Sequence, residues 1–171
     1  ASTALIWGGR GQRLVAQWPI HGLEVFPRGD RILAWSRAGG AVVWDSVSGR
    51  AIFELDDSDH NRTQSACALP RGDRIATCCA ASGCALWDVA SGALAVRLPP
   101  PPGTVLSQLK VAAFPCGGRV LTWGGGHSST VWDAATGERV CSFRGPWPLT
   151  HFAAICPGGA RVASGSLRGQ G

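Results

Sequence analysis

Three times in this chain a proline is followed 17 residues later by a Trp-Asp pair: Pro27 by Trp44-Asp45, Pro70 by Trp87-Asp88 and Pro115 by Trp132-Asp133. Self-similarity at a fixed register constrains architecture more than any single residue, because each repeat is one supersecondary unit that buries its apolar faces against its neighbours. Arg lies four residues after each proline (Arg31, Arg74, Arg119) and Gly five after each tryptophan (Gly49, Gly92, Gly137). A fourth unit opens at Pro157 with Arg161, and Trp7, followed by Gly8, reads as the tail of an earlier one. Length varies only from a tryptophan to the next proline, over 20, 26, 28 and 25 residues, so insertions are confined to one class of connection.

Each unit reads as four short antiparallel strands, a to d. In the first full unit these are Leu23–Phe26, Arg31–Ser36, Ala41–Trp44 and Arg50–Leu55, apolar alternating runs rich in β-branched and aromatic residues and separated by Gly-containing clusters. The a–b turn is Pro-Arg-Gly-Asp, in which Gly29 is free to take positive φ. The partial units add Thr3–Trp7 and Arg13–Trp18 at one end and His151–Ile155 and Arg161–Ser166 at the other. The expected fold class is therefore all-β. A four-stranded sheet of this size needs neighbours on both faces.

The sequence Pro27-Arg-Gly-Asp-Arg31, a short strand, a small-residue hairpin, Val43-Trp44-Asp45 and then Gly49, with its two full recurrences, resembles the WD-repeat β-propeller family over essentially the whole chain. The resemblance implies four-stranded blades at 20–57, 63–100 and 109–145, half blades at 1–19 and 150–171, and about four blade equivalents within a larger propeller. It also implies a rigid platform for binding other macromolecules. The family's tetrad of His, Asp, Ser/Thr and Trp maps only in part. Trp44, Trp87 and Trp132 match, as do the strand-b hydroxyls of Thr77, Thr122 and Ser164, whereas Ala34 does not; Ala38, Ala81 and Gly126 replace the Asp. The Gly-His dipeptide is replaced by Gly145-Pro146 ahead of the last unit.

Other motifs weigh little against this frame. The seven cysteines include no CxxC pair and no zinc-type spacing, and read as small buried apolar residues in a reducing compartment. Arg-Gly-Asp at 28–30 and 71–73 sits in a turn that the repeat itself requires, which argues against an adhesive role. Counting across the b–c hairpin sets Arg31 opposite Asp45, Arg74 opposite Asp88 and Arg119 opposite Asp133, so cross-strand ion pairs are expected rather than a phosphate-binding ring. The net charge of +5 is then spread and paired, which disfavours nucleic acid. No dinucleotide loop, P-loop or GxSxG is present, and His21, His60, His127 and His151 fall on different units without ligand spacing. No enzyme activity, cofactor, metal or small-molecule substrate is expected.

Without a membrane-length apolar run or a signal-peptide pattern, the chain is expected to be intracellular and cytoplasmic, with the nucleus as the alternative, and to have no membrane partner. The absence of any Met suggests an excised piece. The functional expectation is a non-catalytic protein-interaction scaffold whose partners are proteins or peptides. They would approach the face formed by the d–a and b–c connections, contacting Asp56, Asp57, Asp59, His60 and Trp147. The competing reading is a purely structural segment of a larger multidomain protein, with nucleic-acid binding third.

Overall fold

The computed structural model describes residues 4–8, 11–16, 20–55, 62–100, 104–146 and 149–167, the first two segments as backbone alone. Its strands are β1 (Ala4–Gly8), β2 (Gly11–Ala16), β3 (Gly22–Val25), β4 (Arg31–Trp35), β5 (Ala41–Asp45), β6 (Ala51–Leu55), β7 (Thr63–Ala68), β8 (Arg74–Cys79), β9 (Gly83–Asp88), β10 (Leu94–Leu98), β11 (Lys110–Ala113), β12 (Arg119–Trp123), β13 (Ser128–Asp133), β14 (Arg139–Arg144), β15 (Phe152–Ile155) and β16 (Val162–Gly165). They form three four-stranded antiparallel sheets, β3–β6, β7–β10 and β11–β14, each in chain order, with two-stranded sheets β1–β2 and β15–β16 at the ends. This is an all-β, propeller-like row of blades. Apart from the 3-10 turn Leu106–Gln108, the described residues contain no helix, and none is long and apolar enough to cross a membrane.

Blade strands match the sequence expectation to within a residue or so, because alternation and turn residues both mark the boundaries. The first pair differs more. Gly8 of β1 stands opposite Gly11 of β2, whereas five residues separate the third and fourth strands of each full blade. Among the described residues no ladder joins β1–β2 to β15–β16.

The core is distributed between blades. Phe26, Leu33, Val43 and Leu55 of the first blade meet Ala66, Ala68, Ile75, Ala85 and Trp87 of the second. On the other face of the second blade, Leu69, Cys78, Leu86 and Leu98 meet Leu109, Val111, Val120 and Trp132 of the third. Phe114, Leu121, Trp123 and Val131 then cover Ala153, Ile155 and Val162 of the final strand pair. Successive side chains of a strand point to opposite faces, so a central strand such as β8 is apolar on both faces and buried from Ile75 to Cys79. Each fully buried aliphatic side chain stabilises by about 1.5–3 kcal/mol. Leu33 or Leu86 to Ala would cost about 2–5 kcal/mol.

The Trp-Asp-x-x-x-Gly signature builds the turn between the third and fourth strands. Asp88 Oδ1 accepts from Ser91 N–H at 2.8 Å and Ser91 Oγ–H at 2.7 Å, and Asp133 Oδ1 from Ala135 and Thr136 N–H, both at 2.9 Å. Asp45 accepts likewise from Val47 and Ser48 N–H. The glycine five residues after each tryptophan closes the turn with φ of 65° (Gly49), 71° (Gly92) and 74° (Gly137), a region closed to most side chains. At Gly137 a Cβ would also strike Val96 of the preceding blade, so the residue serves turn and junction together.

Candidate ligand cleft on the connection-rich face

The register places Arg31, Arg74 and Arg119 directly opposite Asp45, Asp88 and Asp133. Their side chains do not close the expected ion pairs: among the described residues the one ion pair is Arg31–Asp30, at 3.6 Å. The carboxylates are taken up by their own turns, whose hydroxyl and N–H donors hold all three below the usual carboxylate range, with the facing arginine the smallest contribution. Arg74 instead reaches the next blade, donating from Nη1 to the Ala134 carbonyl at 2.8 Å. The three aspartates are therefore parts of their turns and Arg74 part of a blade junction.

The tryptophans do the same inside the blades. Trp87 Nε1–H donates to Thr77 Oγ1 and Trp132 Nε1–H to Thr122 Oγ1, each at 2.8 Å. In the first blade, where Ala34 supplies no hydroxyl, Trp44 Nε1 is buried without a partner among the described residues. Ser164, the third matching hydroxyl, is exposed.

The cysteine reading is corrected. Cys78 and Cys84 form a disulfide with Cα atoms 4.1 Å apart, because the β8–β9 hairpin sets them directly opposite one another. Cys67 and Cys79 are buried thiols, whereas Cys116, Cys141 and Cys156 are exposed. Cysteine content thus no longer argues for a reducing compartment. The spacing Cys-x5-Cys allows the pairing, but only the register of the hairpin sets the two side chains together.

The Arg-Gly-Asp turns lie side by side at one end of the blades, where Pro27, Arg28, Asp30, Arg71 and Asp73 line a cavity of about 210 Å3. Asp56, Asp57, Asp59, His60 and Trp147, the expected partner contacts, lie outside the described residues. The opposite end holds a cleft of about 250 Å3 lined by Arg37, Gln64, Gln108, Lys110, Gly124 and His151, with Ser107, Leu109 and Thr150. Arg37 comes from the first blade, Gln64 from the second, Lys110 from the third and His151 from the final unit, so the cleft opens where four units meet.

Local geometry holds its walls. Lys110 Nζ donates to the His151 carbonyl at 3.4 Å. Gly124, with φ of 86°, lets the strand end pass so close to the Gln108 carbonyl that no side chain fits. The His151 ring accepts the Leu167 N–H at Nδ1, at 3.2 Å. His21 stands in the same relation to Arg37 N–H, at 3.3 Å. A backbone N–H is always a donor, so neutral His151 carries its proton on Nε2. Sequence reasoning set these histidines on unrelated units, yet each lies six residues before its unit's proline, Pro27 or Pro157. That spacing was the missed signal.

No family model matches this chain, and no curated protein matches it. Among the described residues no group of three His, Cys, Asp or Glu is placed to hold a metal ion.

Proposed function

We propose that this chain is a run of WD-type repeats acting as a non-catalytic protein-interaction scaffold, with the partner approaching the face that carries the b–c and d–a connections. The observation that carries the reading is the cleft, to which four successive units each contribute a polar or cationic residue: Arg37, Gln64, Lys110 and His151. A concave site at a junction of rigid elements is where binding residues are most accurately held. Asp56, Asp57, Asp59, His60 and Trp147 belong to connections of the same class and would extend the contact beyond the cleft. The test is capture of partner proteins by the chain and by a variant with residues 56–60 replaced by Gly and Ser. Proteins lost from the variant at unchanged thermal stability support the scaffold; identical capture refutes the role of that face.

A second reading, a structural segment of a larger propeller, is favoured by one observation. Leu23 and Val25 on the first blade and Phe152 on the last strand pair are 55%, 52% and 56% exposed, apolar surface of the kind a further blade would cover. Light scattering on the isolated chain separates the two, a stable monomer supporting a self-sufficient scaffold and progressive association the segment.

A further inference from the structure

The cleft has a definite electrostatic character. Arg37 and Lys110 bring two cationic side chains, His151 brings an imidazole whose Nδ1 is taken by the Leu167 N–H, and Gln64 and Gln108 add amides; no carboxylate among the described residues lines it. Lys110 is the single lysine of the chain. A cavity of about 250 Å3 is the size of one polar head rather than of a cofactor. Two cations beside neutral donors match an oxyanion carrying one to two negative charges, because charge-assisted hydrogen bonds to such a group are about twice as strong as neutral ones.

We infer that the cleft binds an oxyanion carried on a side chain of the partner protein, a phosphomonoester or a carboxylate. This rests on the scaffold reading and specifies its chemistry: the phosphate dianion meets both cations and the imidazole N–H, while a carboxylate satisfies fewer donors and binds more weakly. Arg37 supplies a planar fork, and Lys110, held at the rim by the His151 carbonyl, supplies a point charge.

The experiment titrates the whole chain with inorganic phosphate and with blocked tripeptides Gly-X-Gly, X being phosphoserine, glutamate or serine, read by amide chemical shifts. A second readout is protection of Lys110 from acylation, scored by mass. Saturable shifts at Gln108, Lys110, Gly124 and His151 are expected, with affinity in the order phosphoserine, glutamate, serine. Lys110→Gln with Arg37→Gln should weaken phosphoserine binding at least about tenfold, and both side chains are exposed, so the fold should persist. Arg28→Gln with Arg71→Gln, at the opposite end, should leave binding unchanged. Equal binding of all three peptides, or equal loss in both double variants, overturns the inference. Phosphate binding at the cleft with partner capture unaffected by the cleft variants overturns its assignment to a partner. Capture that depends on residues 56–60 while the titration fails overturns the oxyanion site and leaves the scaffold standing.

Discussion

Replacing Thr77 by Val keeps the shape of a side chain that is 2% exposed and removes the oxygen that accepts from Trp87 Nε1 at 2.8 Å. Trp87 is itself 2% exposed, so water cannot replace the acceptor its N–H would lose. Removing one partner of a buried hydrogen bond costs about 1–3 kcal/mol, and a typical bond contributes about 1 kcal/mol net, so a loss near 2 kcal/mol is expected. The first blade contains the converse experiment. Trp44 Nε1 is already orphaned, and Ala34 stands opposite Val42 as Thr77 stands opposite Ala85 and Thr122 opposite Thr130. Ala34→Ser adds one oxygen at the equivalent position and should stabilise by about 0.5–1.5 kcal/mol. The assay is urea unfolding followed by tryptophan fluorescence. With a slope of about 2 kcal/mol per molar, Thr77→Val should lower the midpoint by about 1 M and Ala34→Ser raise it by a few tenths. The cycle Thr77→Val with Trp87→Phe should show coupling of at least about 1 kcal/mol. A Thr77→Val midpoint within about 0.2 M of wild type, or Ala34→Ser destabilising as much as Thr77→Val, would refute the reasoning.

Acid should act through the turn aspartates. Asp45, Asp88 and Asp133 have lowered pKa values, so their stabilising effect is full above the unfolded value of 3.8 and is lost as pH falls below it; Asn at all three should flatten that decline in an acid titration of stability. Glu24 has the opposite sign. Burial raises its pKa above 4.5 despite a hydrogen bond from Ala68, so stability falls as pH rises through the folded value, and Glu24→Gln should raise the neutral-pH midpoint with little effect at pH 4. Alkylation without reductant should label Cys116, Cys141 and Cys156 in the native chain, Cys67 and Cys79 only after denaturation, and Cys78 and Cys84 only after reduction as well. Burial pushes the Cys67 thiol up and keeps it neutral, which adds to its protection. Arg74→Gln, which loses the bond to Ala134, should cost about 1 kcal/mol. Arg31→Gln, losing only the exposed pair with Asp30, should stay within about 0.5 kcal/mol in the same urea assay.

The order of strands, their antiparallel pairing and the position of each turn were legible in the chain, because alternation, glycine and the Trp-Asp spacing are local signals that act within one blade. The partnering of Trp87 with Thr77 and the orphaning of Trp44 followed from the same spacing, since strand register decides both. Three things were settled only in three dimensions. Arg74 chose the neighbouring blade's carbonyl over the aspartate across its own hairpin, because the turn's N–H and hydroxyl donors had already occupied that carboxylate. Cys78 and Cys84 joined, because a hairpin sets directly opposed side chains within bonding reach whatever the composition around them. The cleft assembled from Arg37, Gln64, Lys110 and His151, residues spread over 115 positions of sequence that share no motif. Stacking of whole units brings such residues together, and local sequence periodicity carries no record of which side chains meet at the junction.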